Sequence, residues 1–237
     1  MTAIPPPRAG TWPAGTFLAL LSPASQAALL DLGVPKAHRR GDVVLREGER
    51  SDHVVLLVRA VAKATVALDN GRVALLSIKV GGDVVGEMAA LSGEPRSATI
   101  TVCSDAHVRL ISSAVFQEYL ARHSDAGPAL TRVIMQTLRW ADKRRVDFNG
   151  YPASVRLARV LDELAAGYGR AVPGGVTLDL GLTQRELGAL VGAEEDTARK
   201  ELRALRDRGV LRMGYRTITI VDREVLGRIA YDCTETR

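Results

Sequence analysis

The sequence predicts an α+β chain: a closed or rolled antiparallel sheet first, a long helix second, and a small helical domain with a two-stranded hairpin last. Between Gly41 and Ile111, short β-branched runs are separated by turn residues, the pattern of many short antiparallel strands. After Pro128, Leu130, Ile134, Thr137, Ala141 and Phe148 recur at helical spacing with no glycine or proline between them, which predicts one long helix. Beyond Gly150-Tyr151-Pro152, amphipathic runs alternate with glycine turns and end in a β-branched pair.

Taken in order, residues 1–15 are proline-rich and lack the cationic start and apolar core of a signal peptide, so they read as a disordered lead-in. Ser22-Pro23 opens a helix, proline being favoured at the first helical position. Strands are expected at Val43–Leu45, Val54–Val58, Ala62–Leu68, Val73–Ile78, Val84–Val85, Ala98–Val102 and Val108–Ile111, with Asn70-Gly71 a hairpin turn. Ser113 is expected to cap a helix running to about His123. The apolar seam of the long helix suits either a dimer contact or packing on its own β-domain. Gly150-Tyr151-Pro152 then marks a boundary, as a hinge or as a plain interhelical turn.

Ser154 to Ala166 forms the next amphipathic helix, and a Gly/Pro-rich loop, Gly167 to Gly175, leads to a strand at Val176–Leu180. Thr183 and Glu186 have the spacing of a capping box for a short helix ending near Gly192. Glu194 to Asp207 supports a second helix, and Val210–Met213 with Arg216–Val221 a hairpin wing, before Asp222 caps a last helix. A short helix, a glycine turn and a longer helix make a helix-turn-helix.

Bulk properties narrow the function classes. Apolar content of 46% and charged content of 25% are ordinary for a globular protein, and no apolar run approaches membrane-spanning length. A cytoplasmic protein with no membrane partner is expected. Cys103 and Cys233 are too few for a cysteine-ligated cluster, and the four histidines show no metal-ligand spacing. No serine, cysteine or carboxylate constellation suggests an enzyme. The net charge of +5 permits a polyanionic partner.

Two segments carry chemistry. Gly86 to Thr99 reads Gly-Glu-Met-Ala-Ala-Leu-Ser-Gly-Glu-Pro-Arg-Ser-Ala-Thr. Backbone N–H groups of Met88 and Ala89, following Gly86 at a helix start, are free to donate to an anion. Arg96 adds a cationic fork and Ser97 a hydroxyl. Glu87 would repel phosphate and suits a ribose hydroxyl instead. The segment resembles the phosphate-binding cassette of cyclic-nucleotide-binding domains, and that resemblance makes the β-domain a β-roll. It implies a cyclic nucleotide as allosteric ligand, cyclic AMP ahead of cyclic GMP, and no other cofactor.

The second segment is the helix-turn-helix. Arg199, Lys200, Arg203, Arg206, Arg208, Arg212 and Arg216 outnumber the acids of the same stretch, as expected of a phosphate-binding face. Thr183 and Gln184 would position phosphates, and Glu195, Asp196, Arg199 and Lys200 would read base edges. The element order resembles the C-terminal domain of CRP/FNR-type transcription regulators. That family has an arginine where Glu195 stands, so an altered DNA site is implied. It also places a Thr-Ser pair on the long helix, from the second subunit, against the purine; here Ala141 and Asp142 stand there. Asp142 could accept from the purine and Trp140 could stack on it; interface packing of Trp140 and an intrahelical pair of Asp142 with Arg139 or Arg145 are the alternatives.

The implied organisation is a lead-in (1–15), a cyclic-nucleotide-binding β-roll (16–125), a dimerisation helix (126–149) and a winged helix-turn-helix (150–237). The implied function is a homodimeric regulator binding double-stranded DNA at a roughly palindromic operator, with RNA polymerase a further partner. Three alternatives stay open: a nucleotide-binding protein acting through a protein partner, a family member working without a nucleotide, and a haem-based redox or gas sensor.

Overall fold

The structure is a computed structural model that describes residues 12–232. Cys233 and residues 1–11 of the expected lead-in lie outside the described residues. From Trp12 the chain is packed: the indole rests against the core around Phe17, and Thr16 donates through its amide and its hydroxyl to Pro13 O, at 3.2 and 2.8 Å. Two compact units divide the chain, residues 1–68 with 76–138 and residues 69–75 with 139–237. The division falls inside the long helix.

The first unit comprises α1 (Pro23–Asp31), β1 (Val34–His38), β2 (Val43–Leu45), β3 (His53–Arg59), β4 (Val61–Ala67), β5 (Val73–Val80), β6 (Val84–Val85), α2 (Glu87–Ser92), β7 (Thr99–Val102), β8 (Ala106–Ser112), α3 (Ser113–Arg122) and the start of α4 (Ala126–Gly150). Its two four-stranded sheets run β1-β8-β3-β6 and β2-β7-β4-β5, with antiparallel registers such as Val54↔Ile111 and Ala64↔Ile100. β3 explains the arrangement. Its run Val54-Val55-Leu56-Leu57 is fully buried, because Val54 and Leu56 pack with the helices while Val55 and Leu57 pack with the second sheet. An uninterrupted apolar run is what a strand covered on both faces requires.

β1 has no counterpart in the sequence reading. Its residues, Val-Pro-Lys-Ala-His, show no apolar alternation and are mostly exposed. Pairing with β8 along its whole length makes it a strand, and its edge position tolerates Pro35. The cap of α3 also differs from expectation. Ser112, not Ser113, accepts from Val115 N at 3.3 Å, and the Ser113 amide donates to Asp52 O instead.

α4 divides its apolar residues between two environments. Leu130 and Val133 enter the unit's own core, whereas Ile134, Met135, Leu138 and Val146 remain exposed. Just before it, Asp125 ties α1 to the α3–α4 turn. Its carboxylate accepts from the Ser25 hydroxyl at 2.6 Å and from Ser22 N at 2.7 Å. These bonds, Ser25 first, hold its pKa at about 2, below the usual 3.8.

The second unit contains the C-terminal turns of α4, α5 (Ala153–Tyr168), β9 (Arg170–Val172), β10 (Gly175–Leu178), α6 (Gln184–Leu190), α7 (Glu195–Asp207), β11 (Leu211–Met213), β12 (Ile218–Ile220) and α8 (Arg223–Tyr231). β11-β12-β10-β9 form one antiparallel sheet; β9 occupies part of the expected loop, recruited by pairing with β10. Leu157, Leu161, Leu190, Leu202, Leu211 and Ile220 are among its buried side chains. Gly188 lets α6 and α7 meet: a Cβ there would lie 2.9 Å from Ala193 O and 3.1 Å from Ala198 Cβ.

The Gly150–Pro152 turn is flanked by a network of buried charge. Buried Asp147 pairs with Arg144 at 2.8 Å and with Arg159 at 2.5 Å. The Arg159 guanidinium also lies 3.7 Å from the Tyr151 ring centroid and donates to Ala230 O. Glu163 holds Arg144 at 3.0 Å and Lys143 beside it. Two carboxylates thus serve three cations, and the guanidinium carbon of Arg144 lies 5.3 Å from the Trp140 ring centroid.

Asp147→Ala removes one partner from each of two buried guanidinium groups, and urea unfolding of the full chain should record a loss of about 3 kcal/mol, the lower end for a broken buried pair because Glu163 and Ala230 O keep a bond to each. Asp125 works through acid. A carboxylate whose folded pKa is depressed contributes stability above its unfolded pKa and loses it as pH falls through the folded one. The Asp125 contribution is therefore present above about pH 4 and fades towards pH 2. Asp125→Asn should flatten that part of the stability–pH curve and leave the neutral-to-alkaline limb unchanged in shape.

Candidate functional site

The β6–α2 turn sets the first site. Gly86 adopts a left-handed φ of +83°, and a Cβ there would lie 2.5 Å from Arg96 Nη1 and 2.9 Å from Leu45 Cδ1. Both the conformation and the space therefore call for glycine. α2 follows with Glu87 in its first turn and closes at Gly93, also left-handed, whose amide donates to Ala89 O at 2.9 Å. The following Glu94-Pro95 returns the chain to Arg96.

Arg96 is 3% exposed. Nε donates to Ser51 Oγ at 2.9 Å, Nη1 to Gly86 O at 2.7 Å, and Nη2 to Ser51 O at 3.0 Å and to His53 O. Four of the five guanidinium N–H groups are thus engaged with the protein. Burial lowers its pKa, against the Glu87 carboxylate that raises it. Burial likewise lifts the Glu87 carboxyl above the ordinary range, opposed by the Lys79 ammonium. The His53 imidazole is held below its usual value by burial and then by Arg96.

Of the residues expected to hold a nucleotide, Gly86, Glu87 and Arg96 come together. Met88 and Ser97 are exposed and Ala89 is half-buried. Trp140 and Asp142 belong to the part of α4 in the second unit, Asp142 exposed and Trp140 beside Arg144. The anion-suited donor set is present, but its guanidinium already holds Gly86 O, so a phosphate must either use the remaining N–H or displace a carbonyl. A cleft of about 270 Å³ nearby is lined by Arg50, Asp52, Ala90 and Ser113 among others, and shares only Ala89 with the expected set. Ser51 and His53 escaped the sequence reading; the Gly48–Ser51 turn ahead of β3 was their one signal.

The second site is the exposed face of α6 and α7. The capping box forms as expected: Thr183 Oγ1 accepts from Glu186 N at 3.2 Å, and Glu186 Oε2 accepts from Thr183 N at 2.7 Å. The Thr183 hydroxyl also donates to that carboxylate at 3.0 Å, so it is engaged before any phosphate arrives. Gln184 is half-buried at the first position of α6. On α7, Asp196, Arg199, Lys200 and Arg203 are exposed and Glu195 is half-buried. Arg199 pairs with Glu195 at 2.8 Å and with Asp196 at 2.9 Å. Both acids lie in the first turn, where the helix dipole favours them. Arg185, missed in the sequence, reaches Glu195 from α6 at 3.7 Å. At the wing, Tyr215 is exposed and Arg216 holds a left-handed φ of +57°.

Among the described residues no group of three or more His, Cys, Asp or Glu side chains could hold a metal, and no helix is long and apolar enough to cross a membrane. A β-roll with a buried arginine at a short helix, in one chain with a winged helix-turn-helix, defines a class of regulator that couples a small-ligand domain to a DNA-binding one.

Comparison with known proteins agrees. The family profile described as "Cyclic nucleotide-binding domain" matches residues 35–123, and that described as "Crp-like helix-turn-helix domain" matches residues 155–229. A CRP-like cAMP-activated global transcriptional regulator of Mycobacterium tuberculosis is 28% identical over 92% of this chain and 96% of its own length. The cAMP-activated regulator Vfr of Pseudomonas aeruginosa is 22% identical over 81% of this chain and 92% of its own. Among solved structures, FixK2 of Bradyrhizobium japonicum shares the fold with a TM-score of 0.72, at 22% identity, over 84% of this chain and 97% of that one. The c-di-GMP-responsive regulator CLP of Xanthomonas campestris does so at 0.70, with 19% identity, over 85% and 100%. The chain belongs to the CRP/FNR-type transcription regulators, which are non-enzymatic DNA-binding proteins. It carries their cyclic-nucleotide-binding domain.

Arg96 has a structural role beside any ligand role. Arg96→Ala leaves the carbonyls of Gly86, Ser51 and His53 without their donor, at about 1–3 kcal/mol for each acceptor left buried and unpaired. Thermal melting without nucleotide should show the variant several degrees below wild type.

Proposed function

We propose that this chain is a cytoplasmic, homodimeric regulator that binds cyclic AMP ahead of cyclic GMP and then reads a roughly palindromic operator. One observation carries the ligand half: a buried guanidinium bonded to the carbonyl of the glycine that opens α2. A phosphate arriving at Gly86, Met88, Ala89 and Ser97 takes the remaining N–H of Nη1 or displaces that carbonyl, and either way it meets the cation that holds the start of α2. Glu87 faces the ribose. Trp140 and Asp142, on α4 of the second subunit, face the purine. The exposed Ile134, Met135 and Leu138 supply the apolar seam between subunits. The cAMP-activated relatives support the ligand order.

Ligand shifts a two-state dimer only by its differential affinity for the two states. In the binding state the two recognition helices stand about 34 Å apart, one turn of DNA, to meet successive half-sites. Thr183, Gln184 and Arg203 contact phosphates, and RNA polymerase is a downstream partner. A second reading, regulation without a nucleotide, is favoured by the four bonds Arg96 already makes.

Isothermal titration of the full chain with cyclic AMP and cyclic GMP separates the two. We expect the tighter isotherm with cyclic AMP, at least tenfold weaker binding for Arg96→Ala, and a gel shift on genomic fragments strengthened by the same nucleotide. No heat with either nucleotide, together with a gel shift indifferent to both, leaves the nucleotide-free reading in its place.

A further inference from the structure

Buried Ala198, Leu202 and Leu205 fix the orientation of α7. At 3.6 residues per turn, Asp196, Lys200 and Arg203 project from the side opposite that stripe. Glu195, Arg199 and Arg206 fall on one flank instead. The flank that carries Glu195 is the one met by α6, since Arg185 reaches Glu195 Oε2 at 3.7 Å. The other oxygen, Oε1, holds Arg199 at 2.8 Å. One carboxylate thus ties a guanidinium from each helix of the motif, and Asp196 shares Arg199 at 2.9 Å.

We propose that Glu195 is a positioning residue and not a base reader: it holds Arg185 and Arg199 together, neutralises part of the basic face, and leaves base readout to Asp196 and Lys200. The proposal rests on the DNA-binding reading of this unit. To accept from a cytosine amino group, Glu195 would have to release a guanidinium on either side while lying on the flank of the helix. Exposed ion pairs of this kind contribute little to folding, so the bridge matters for the electrostatics of association. Its removal takes away one negative charge, frees Arg185 from this carboxylate and leaves Arg199 with Asp196 as its remaining partner, so that both guanidinium groups turn more readily to backbone phosphates. Every further phosphate that the protein neutralises steepens the dependence of log K on log salt by about 0.9. A base-reading residue behaves differently, since its loss changes preference at one base pair.

The test begins with selection of random-sequence duplexes by the full chain, in cyclic AMP and without it, to define the preferred site. Fluorescence anisotropy on that site and on single-base variants, across a salt series, then compares wild type, Glu195→Gln, Lys200→Ala and Arg185→Ala/Glu195→Gln. The expected result for Glu195→Gln is about tenfold tighter binding to every duplex, a salt slope steeper by about one to two units, and an unchanged ranking of bases. Arg185→Ala in that background should return roughly one unit of slope, and Lys200→Ala should relax preference at one position. A change in base ranking for Glu195→Gln, or an unaltered salt slope, overturns the proposal. Failure of wild type to bind any duplex overturns the DNA-binding reading along with it, and the two failures are told apart by the wild-type lane alone.

Discussion

A guanidinium carries five N–H donors and a permanent charge, and burying one requires acceptors on every side. Arg96 meets that demand with carbonyls drawn from three places: the turn before β3, the first residue of β3, and the glycine before α2. The rest of β3 and three further strands separate His53 from Gly86 along the chain, yet both segments share one cation. The geometry around Gly86 follows from it. The absent Cβ leaves room for Nη1, and the left-handed backbone turns the carbonyl towards it. Glu87, raised by burial and offset by Lys79 and Arg96, sits in the same electrostatic neighbourhood.

The second unit solves a related problem at two places with opposite solvation. At the α4–α5 turn most of the charges are inside, and Asp147 with Glu163 must satisfy buried Arg144 and Arg159 along with the exposed Lys143. At α7 they are outside, where pairing is weak and tunes the surface potential more than the fold. Capping joins the two regimes. The Thr183–Glu186 box satisfies the free amides that open α6, and Gly188 removes the side chain that would hold α7 away.

Much of this was legible in the residues themselves. The caps at Ser22, Thr183 and Asp222 are local signals, and each forms. Short β-branched runs announced the strands of the roll, because burial against two layers imposes apolar residues. β1 and β9 carried no such mark, since edge strands are held by backbone pairing that leaves side chains unconstrained. Ser112 displaced Ser113 as a cap by one residue, a choice made by the amide of Ser113 meeting Asp52 O. Ser51 and His53 contribute mainly backbone oxygens to Arg96, and a carbonyl has no residue signature. Arg185 looked like one surface arginine among many until α7 brought Glu195 beside it.

The split character of α4 has a mechanical meaning. Its first turns are cemented into one hydrophobic interior through Leu130 and Val133, and its last are riveted to α5 through Asp147. Between these fastenings lies a bare stretch of continuous helix with no chain break to absorb rotation. That stretch keeps its shape chiefly through the helix's own backbone hydrogen bonds, since its apolar side chains bury little surface against the rest of the chain.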